Sequence, residues 1–240
     1  MSPLFLLAET SCLSAARHAE AVGVDAVLHV SEDLDTLATW TANLSVPVWM
    51  SIRQLYAGTA WEAERAIALG AKGIALPKAH SPGEVDTLVR LVRQRADTLI
   101  RIETNSLLAH ITTLREIPWT HLHVSETLWE ADPETAEDEY SETELSLRTV
   151  PRRLTGRSFG TGTLRPHAHS LTHAERTHLT SMAAAGGTLV VLDLTHSAPP
   201  GQVASLVKSV REIWTTGADP VQSVPPNVCS SGQSFARSTA

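Results

Sequence analysis

Short apolar runs alternate with amphipathic stretches along most of this chain. That alternation constrains the fold more than any other feature. Leu4–Ala8 reads as a strand, and Ser11–Val22 follows with Leu13, Ala16, Ala19 and Val22 at helical spacing. Gly23 stops that helix, as glycine commonly does. The rhythm repeats with strands at 25–30, 46–52, 73–77, 99–102 and 121–124, and with helices at 33–43, 59–69, 82–95 and 107–116. Ser81-Pro-Gly-Glu84 reads as a capping box with proline in the first turn. The rhythm weakens after 124, where 154–159 is a poor seventh strand. It returns with a helix at 172–185, a strongly apolar strand at 188–194 and a last helix at 202–214.

Strands separated by helices pair in parallel through right-handed crossovers. Eight such units in roughly 220 residues predict a single-domain α/β fold, the (β/α)8 TIM barrel. Its eighth strand should close beside its first. An open doubly wound sheet is the runner-up, but no Gly-x-Gly-x-x-Gly follows any strand. The barrel domain is expected over 1–218. A flexible tail rich in Pro, Ser, Asn and Gly is expected over 219–240.

Composition removes several function classes. The formal net charge is −7, which argues against a nucleic-acid partner. The two cysteines, Cys12 and Cys229, make neither a disulfide framework nor a CxxC metal site. No run of 18 apolar residues predicts a membrane span, and the apolar N-terminus lacks the positive charge of a signal peptide. A soluble cytoplasmic protein is the expectation. The acidic segment 130–144 reads as a solvated surface.

Barrel active sites lie at the C-terminal ends of the strands. Sampling those ends gives Glu9 and Thr10, then Ser31, Glu32 and Asp33, then Arg53, Lys78, His80, Glu103, Ser125, Glu126, Asp193 and His196. Glu32 and Asp33 could equally cap a helix. Glu103 stands out because it ends the apolar run Thr-Leu-Ile-Arg-Ile, where a carboxylate is costly. His167-x-His169 has transition-metal spacing but no further Cys or acidic partner at convincing spacing; His169 and His173 are four apart but need not share a face because Thr172 starts the helix, and His178 lies further along it.

Several of these segments resemble the HpcH/HpaI aldolase and citrate lyase β-subunit family. They are Gly70-Ala-Lys-Gly-Ile-Ala-Leu-Pro-Lys78, Ser81-Pro-Gly-Glu-Val85, Ile100-Arg-Ile-Glu103-Thr104 and Gly23-Val-Asp-Ala-Val27. The resemblance covers about residues 3–125 and is firmest over 70–105. It implies a metal-dependent carbon–carbon lyase or aldolase acting on a 2-oxo acid or acyl-CoA through an enolate. It implies Mg²⁺ or Mn²⁺ held by Glu103 and by an acidic residue after strand six. The family aspartate has no counterpart in Val124-Ser-Glu-Thr-Leu128, and Glu126 is the nearby carboxylate. By the same resemblance Arg53 stabilises the enolate and Lys78 joins it as a catalytic cation. Glu32 and Asp33, with Arg53, fall where substrate is bound, and a homo-oligomer is implied. Two other readings stay open. One is a catalytically degenerate barrel that serves as a binding or partner subunit. The other is a metal-independent isomerase using an acid–base pair such as Glu103 and His196.

Overall fold

The computed structural model describes residues 3–31, 33–52, 54–92, 94–125, 158–166, 171–196 and 198–217. The ring begins with β1 (Phe5–Thr10), α1 (Leu13–Ala21), β2 (Ala26–His29), α2 (Leu34–Asn43), β3 (Val48–Ser51) and α3 (Thr59–Ala68). It continues with β4 (Gly73–Leu76), α4 (Pro82–Val92), β5 (Asp97–Ile102), α5 (Asn105–Ala109), α6 (Ile111–Glu116) and β6 (His121–Val124). It ends with β7 (Ser158–Thr161), β8 (Thr163–Leu164), α7 (His173–Ala184), β9 (Leu189–Asp193) and α8 (Pro200–Gly217).

Every strand pairing is parallel, in the order β7-β6-β5-β4-β3-β2-β1-β9-β8. The last long strand lies beside the first, with Leu7 opposite Val191 and Glu9 opposite Asp193. The eightfold expectation therefore holds, although nine strands are counted among the described residues. The surplus has a physical cause. β7 pairs with β6, β8 pairs with β9, and Gly162 between them has φ +70°. The two short strands are legs of one bent strand occupying the seventh position, and glycine supplies the left-handed corner. Gly160 is needed for a different reason. A Cβ there would sit 2.0 Å from the Leu189 carbonyl oxygen, so only glycine lets β7 meet β9. The weak seventh-strand signal at 154–159 follows, because the described strand begins at Ser158 and depends on glycines.

Other boundaries shift for local reasons. The expected helix at 107–116 is two short helices that meet at His110. Asp33 is an N-cap: its carboxylate accepts from the Asp35 amide at 3.0 Å, and α2 starts one residue later. Thr172 and Glu175 form a full capping box at the start of α7. The Ser81 hydroxyl caps the Glu84 amide, while the Glu84 carboxylate takes the His80 amide instead of the Ser81 amide.

Two apolar layers hold the barrel. The larger lies between strands and helices and includes Leu6, Val27, Trp40, Met50, Ile100 and Leu122. The smaller fills the lumen with Leu7, Ala26, Leu28, Trp49, Ala75, Leu99, Leu189 and Val191. Alternation along each strand sends neighbouring residues to opposite layers, so the lumen set also fixes which later residues face inward. No helix among the described residues is long and apolar enough to cross a membrane. The expected tail at 219–240 and the acidic segment 130–144 lie outside the described residues.

Candidate functional site at the barrel mouth

Stepping two residues from each lumen residue toward the C-terminal end of its strand gives the mouth. Leu7 leads to Glu9, Leu99 to Arg101 and then Glu103, His121 to His123, and Val191 to Asp193. Strands β1 and β5 are four places apart in either direction round the ring, so they face each other across the lumen. Glu9 and Arg101 bridge that diameter. Both terminal nitrogens of Arg101 donate to the two Glu9 oxygens in a fork-on-fork pair. Their side chains are only 15% and 12% exposed, so each charge depends on the other. Arg101 Nε is buried and has no hydrogen-bond partner among the described residues.

His123 lies beside Arg101 in the β5–β6 register. Its Nε2 is 2.8 Å from the Gly162 carbonyl oxygen, which can only accept. The ring proton is therefore on Nε2, and Nδ1 keeps its lone pair. Burial, reinforced by the Arg101 charge, pushes the His123 pKa down to about 3, so the ring is neutral near pH 7. Asp193 completes this polar layer. Arg165 Nε donates to its Oδ2 at 2.9 Å, and the Thr195 amide and hydroxyl donate to its Oδ1. Burial raises the Asp193 pKa, but the Thr195 and Arg165 bonds outweigh it and hold the carboxyl below its ordinary value.

The sequence-expected site residues divide into three groups. Glu103 stands just beyond β5, immediately before the Thr104 N-cap of α5. It is half-buried and has no hydrogen bond or ion pair among the described residues. Lys78 is exposed beyond β4 and also forms no ion pair among the described residues. Asp33 is engaged as the cap of α2, where Thr36 also donates to it. Glu32, Arg53 and Glu126 lie outside the described residues, as do His167 and His169. His196 is exposed past the end of β9. Among the described residues, no three His, Cys, Asp or Glu side chains gather closely enough to form a metal cage.

No family model and no curated protein matches the chain. Sampling strand ends reached Glu9, Glu103 and Asp193, but Arg101, His123 and Arg165 were missed. The usable signal for Arg101 and His123 was parity: each lies two residues past a residue that must face the lumen. Arg165 had no such signal, because the glycine corner resets the alternation before it.

Proposed function

We propose that the mouth is the site of a divalent-metal-assisted carbon–carbon lyase or aldolase. It would act on a 2-oxo acid or acyl-CoA, in the manner of the HpcH/HpaI aldolase and citrate lyase β-subunit family. One observation carries the reading: Glu103. Glu9 is neutralised by Arg101 and Asp193 by Arg165, whereas the half-buried Glu103 carboxylate has no partner among the described residues. A carboxylate so placed favours a cation.

The donor set suits Mg²⁺ or Mn²⁺ better than zinc. Hard cations take oxygen ligands and are commonly held by one or two carboxylates, with waters and substrate oxygens completing the shell. Structural zinc sites need four nitrogen or sulfur donors, and catalytic ones need three protein ligands. Glu103, with Glu126 after β6, would hold the ion. When bound, it would draw charge from the substrate carbonyl oxygen. Arg53 would aim a second positive charge at that oxygen, and Lys78 would supply a further cation from the β4 end. The Glu9–Arg101 bridge would floor the site, and neutral His123 would leave the floor without an additional charge.

Calorimetry with Mg²⁺ and Mn²⁺, with pyruvate or oxaloacetate present, tests the reading. The wild type should bind an ion, and Glu103→Gln should weaken that binding at least tenfold with the fold intact. Arg53→Lys should lower turnover by roughly a hundred- to a thousandfold with little change in ion affinity. If the wild type binds neither ion with oxo acid present, the reading fails.

A second reading, a barrel that binds a ligand without catalysing a reaction, is favoured by the Glu9–Arg101 pair. Its two members satisfy each other across the lumen, which is an arrangement for stability. Oxo-acid binding without ion binding or turnover is its signature.

A further inference from the structure

We infer that Arg165 is an oxyanion receptor at the barrel mouth, positioned by Asp193, and that its ligand is a small carboxylate. Two arginines described at the mouth differ in which nitrogens are used. Arg101 spends both terminal nitrogens on Glu9. Arg165 uses only Nε, on Asp193, and its two terminal NH₂ groups have no partner among the described residues. Its side chain is 62% exposed while that of Asp193 is 10% exposed.

An exposed arginine ordinarily sweeps through solvent. Here the inner edge of the guanidinium is tied to a buried carboxylate, which is itself fixed by the Thr195 amide and hydroxyl. Register explains the placement. Leu164 pairs with Leu192, so Arg165 falls beside Asp193 at the C-terminal end of the barrel. The tether leaves the outer edge of the fork oriented and unspent. Two parallel N–H donors there match the two oxygens of a carboxylate. Because the orientation is already set, less side-chain entropy is lost on binding.

Electrostatics selects the anion. Asp193 already offsets the Arg165 charge, and Glu9 lies beside Asp193 in the register. A singly charged carboxylate suits this setting. A phosphate dianion would bring two negative charges beside Asp193 against the single Arg165 guanidinium. The receptor needs no metal, so it stands whether or not the lyase reading does.

The test uses the full chain at pH 8 in buffer freed of metal over a chelating resin, with acetate and inorganic phosphate as probes. Calorimetry should show acetate binding to the wild type and weaker phosphate binding. Arg165→Met should weaken acetate at least tenfold, and Arg165→Lys, which keeps the charge but loses the fork, should weaken it severalfold. Asp193→Asn should weaken acetate while Arg165 remains. In nitrogen-15 spectra the wild-type Arg165 Nε–H should be a slowly exchanging resonance that broadens in Asp193→Asn. A merely structural Asp193 would leave acetate affinity unchanged. Should Arg165→Met fail to fold, Arg165→Lys carries the comparison. Three results would overturn the inference: no acetate binding by the wild type, equal affinity in the Arg165 variants, or tighter binding of phosphate than of acetate. The Mg²⁺ and Mn²⁺ titrations report separately on the lyase reading.

Discussion

The lower and upper halves of one lumen are built from the same strands but differ in chemistry. Below, Phe5, Leu7, Trp49, Leu99 and Val191 pack against one another, and His121 stacks on Phe5 with ring centroids 4.7 Å apart. One inward step higher, roughly 6.6 Å along a strand, the same positions are Glu9, Arg101, His123 and Asp193. A single pleat repeat thus separates the packing layer from the charged layer. The lower layer excludes water, which makes pairing compulsory for the layer above it. Barrel enzymes divide stability and chemistry between their two ends in the same sense.

The most damaging single change should be in the lower layer. Trp49 is 1% exposed and fills the lumen. Trp49→Ala should cost about 3–5 kcal/mol of stability, read from urea unfolding. A loss under 1 kcal/mol would mean the lower lumen is not the packing centre.

The upper layer should be sensitive in a different way. Glu9→Gln leaves the Arg101 charge buried without its partner and should cost about 3 kcal/mol. The double change Glu9→Gln with Arg101→Met removes both charges and should recover part of that loss. If the two single losses simply add, the pair is not coupled and the contrast between layers weakens.

The smallest effect per step is a pH dependence that reads both layers at once. Burial lowers the His121 pKa to about 4, against the opposing pull of Asp97, and that of His123 to about 3. Each ring is therefore harder to protonate folded than unfolded, where its pKa is about 6.5. The unfolded chain takes up protons first, so the stability these rings contribute is complete above about pH 6.5. It falls as the pH drops toward the folded values. Between pH 6 and 5 the folding constant should fall by up to roughly tenfold per histidine. His121→Phe and His123→Gln should each flatten the profile; an unchanged profile in both would show that the rings do not carry it.

Legibility followed distance along the chain. Strands β1 to β6 and β9 were readable because period-2 and period-3.6 patterns are local, and the closure of β9 on β1 followed from counting. The bent seventh strand was not readable, because it rests on Gly160 and Gly162 meeting the rest of the sheet rather than on a run of apolar residues. Asp33 shows the same limit at a smaller scale. Its residue type fits both a helix cap and a substrate ligand, and the cap is what the geometry displays.

By itself, then, the sequence determined the βα rhythm, the count that implies an eightfold ring, and the placing of Glu103 at a strand end; the rhythm and the strand end depend on neighbours within a few residues. Only the tertiary structure decided what those residues meet. Glu9 and Arg101 are 92 positions apart, and Arg165 and Asp193 are 28 apart. Alternation tells each side chain to face the lumen, but its partner depends on where the closed ring places the opposite strand. Which charges are cancelled at the mouth and which are left for a ligand is therefore a property of the closed barrel.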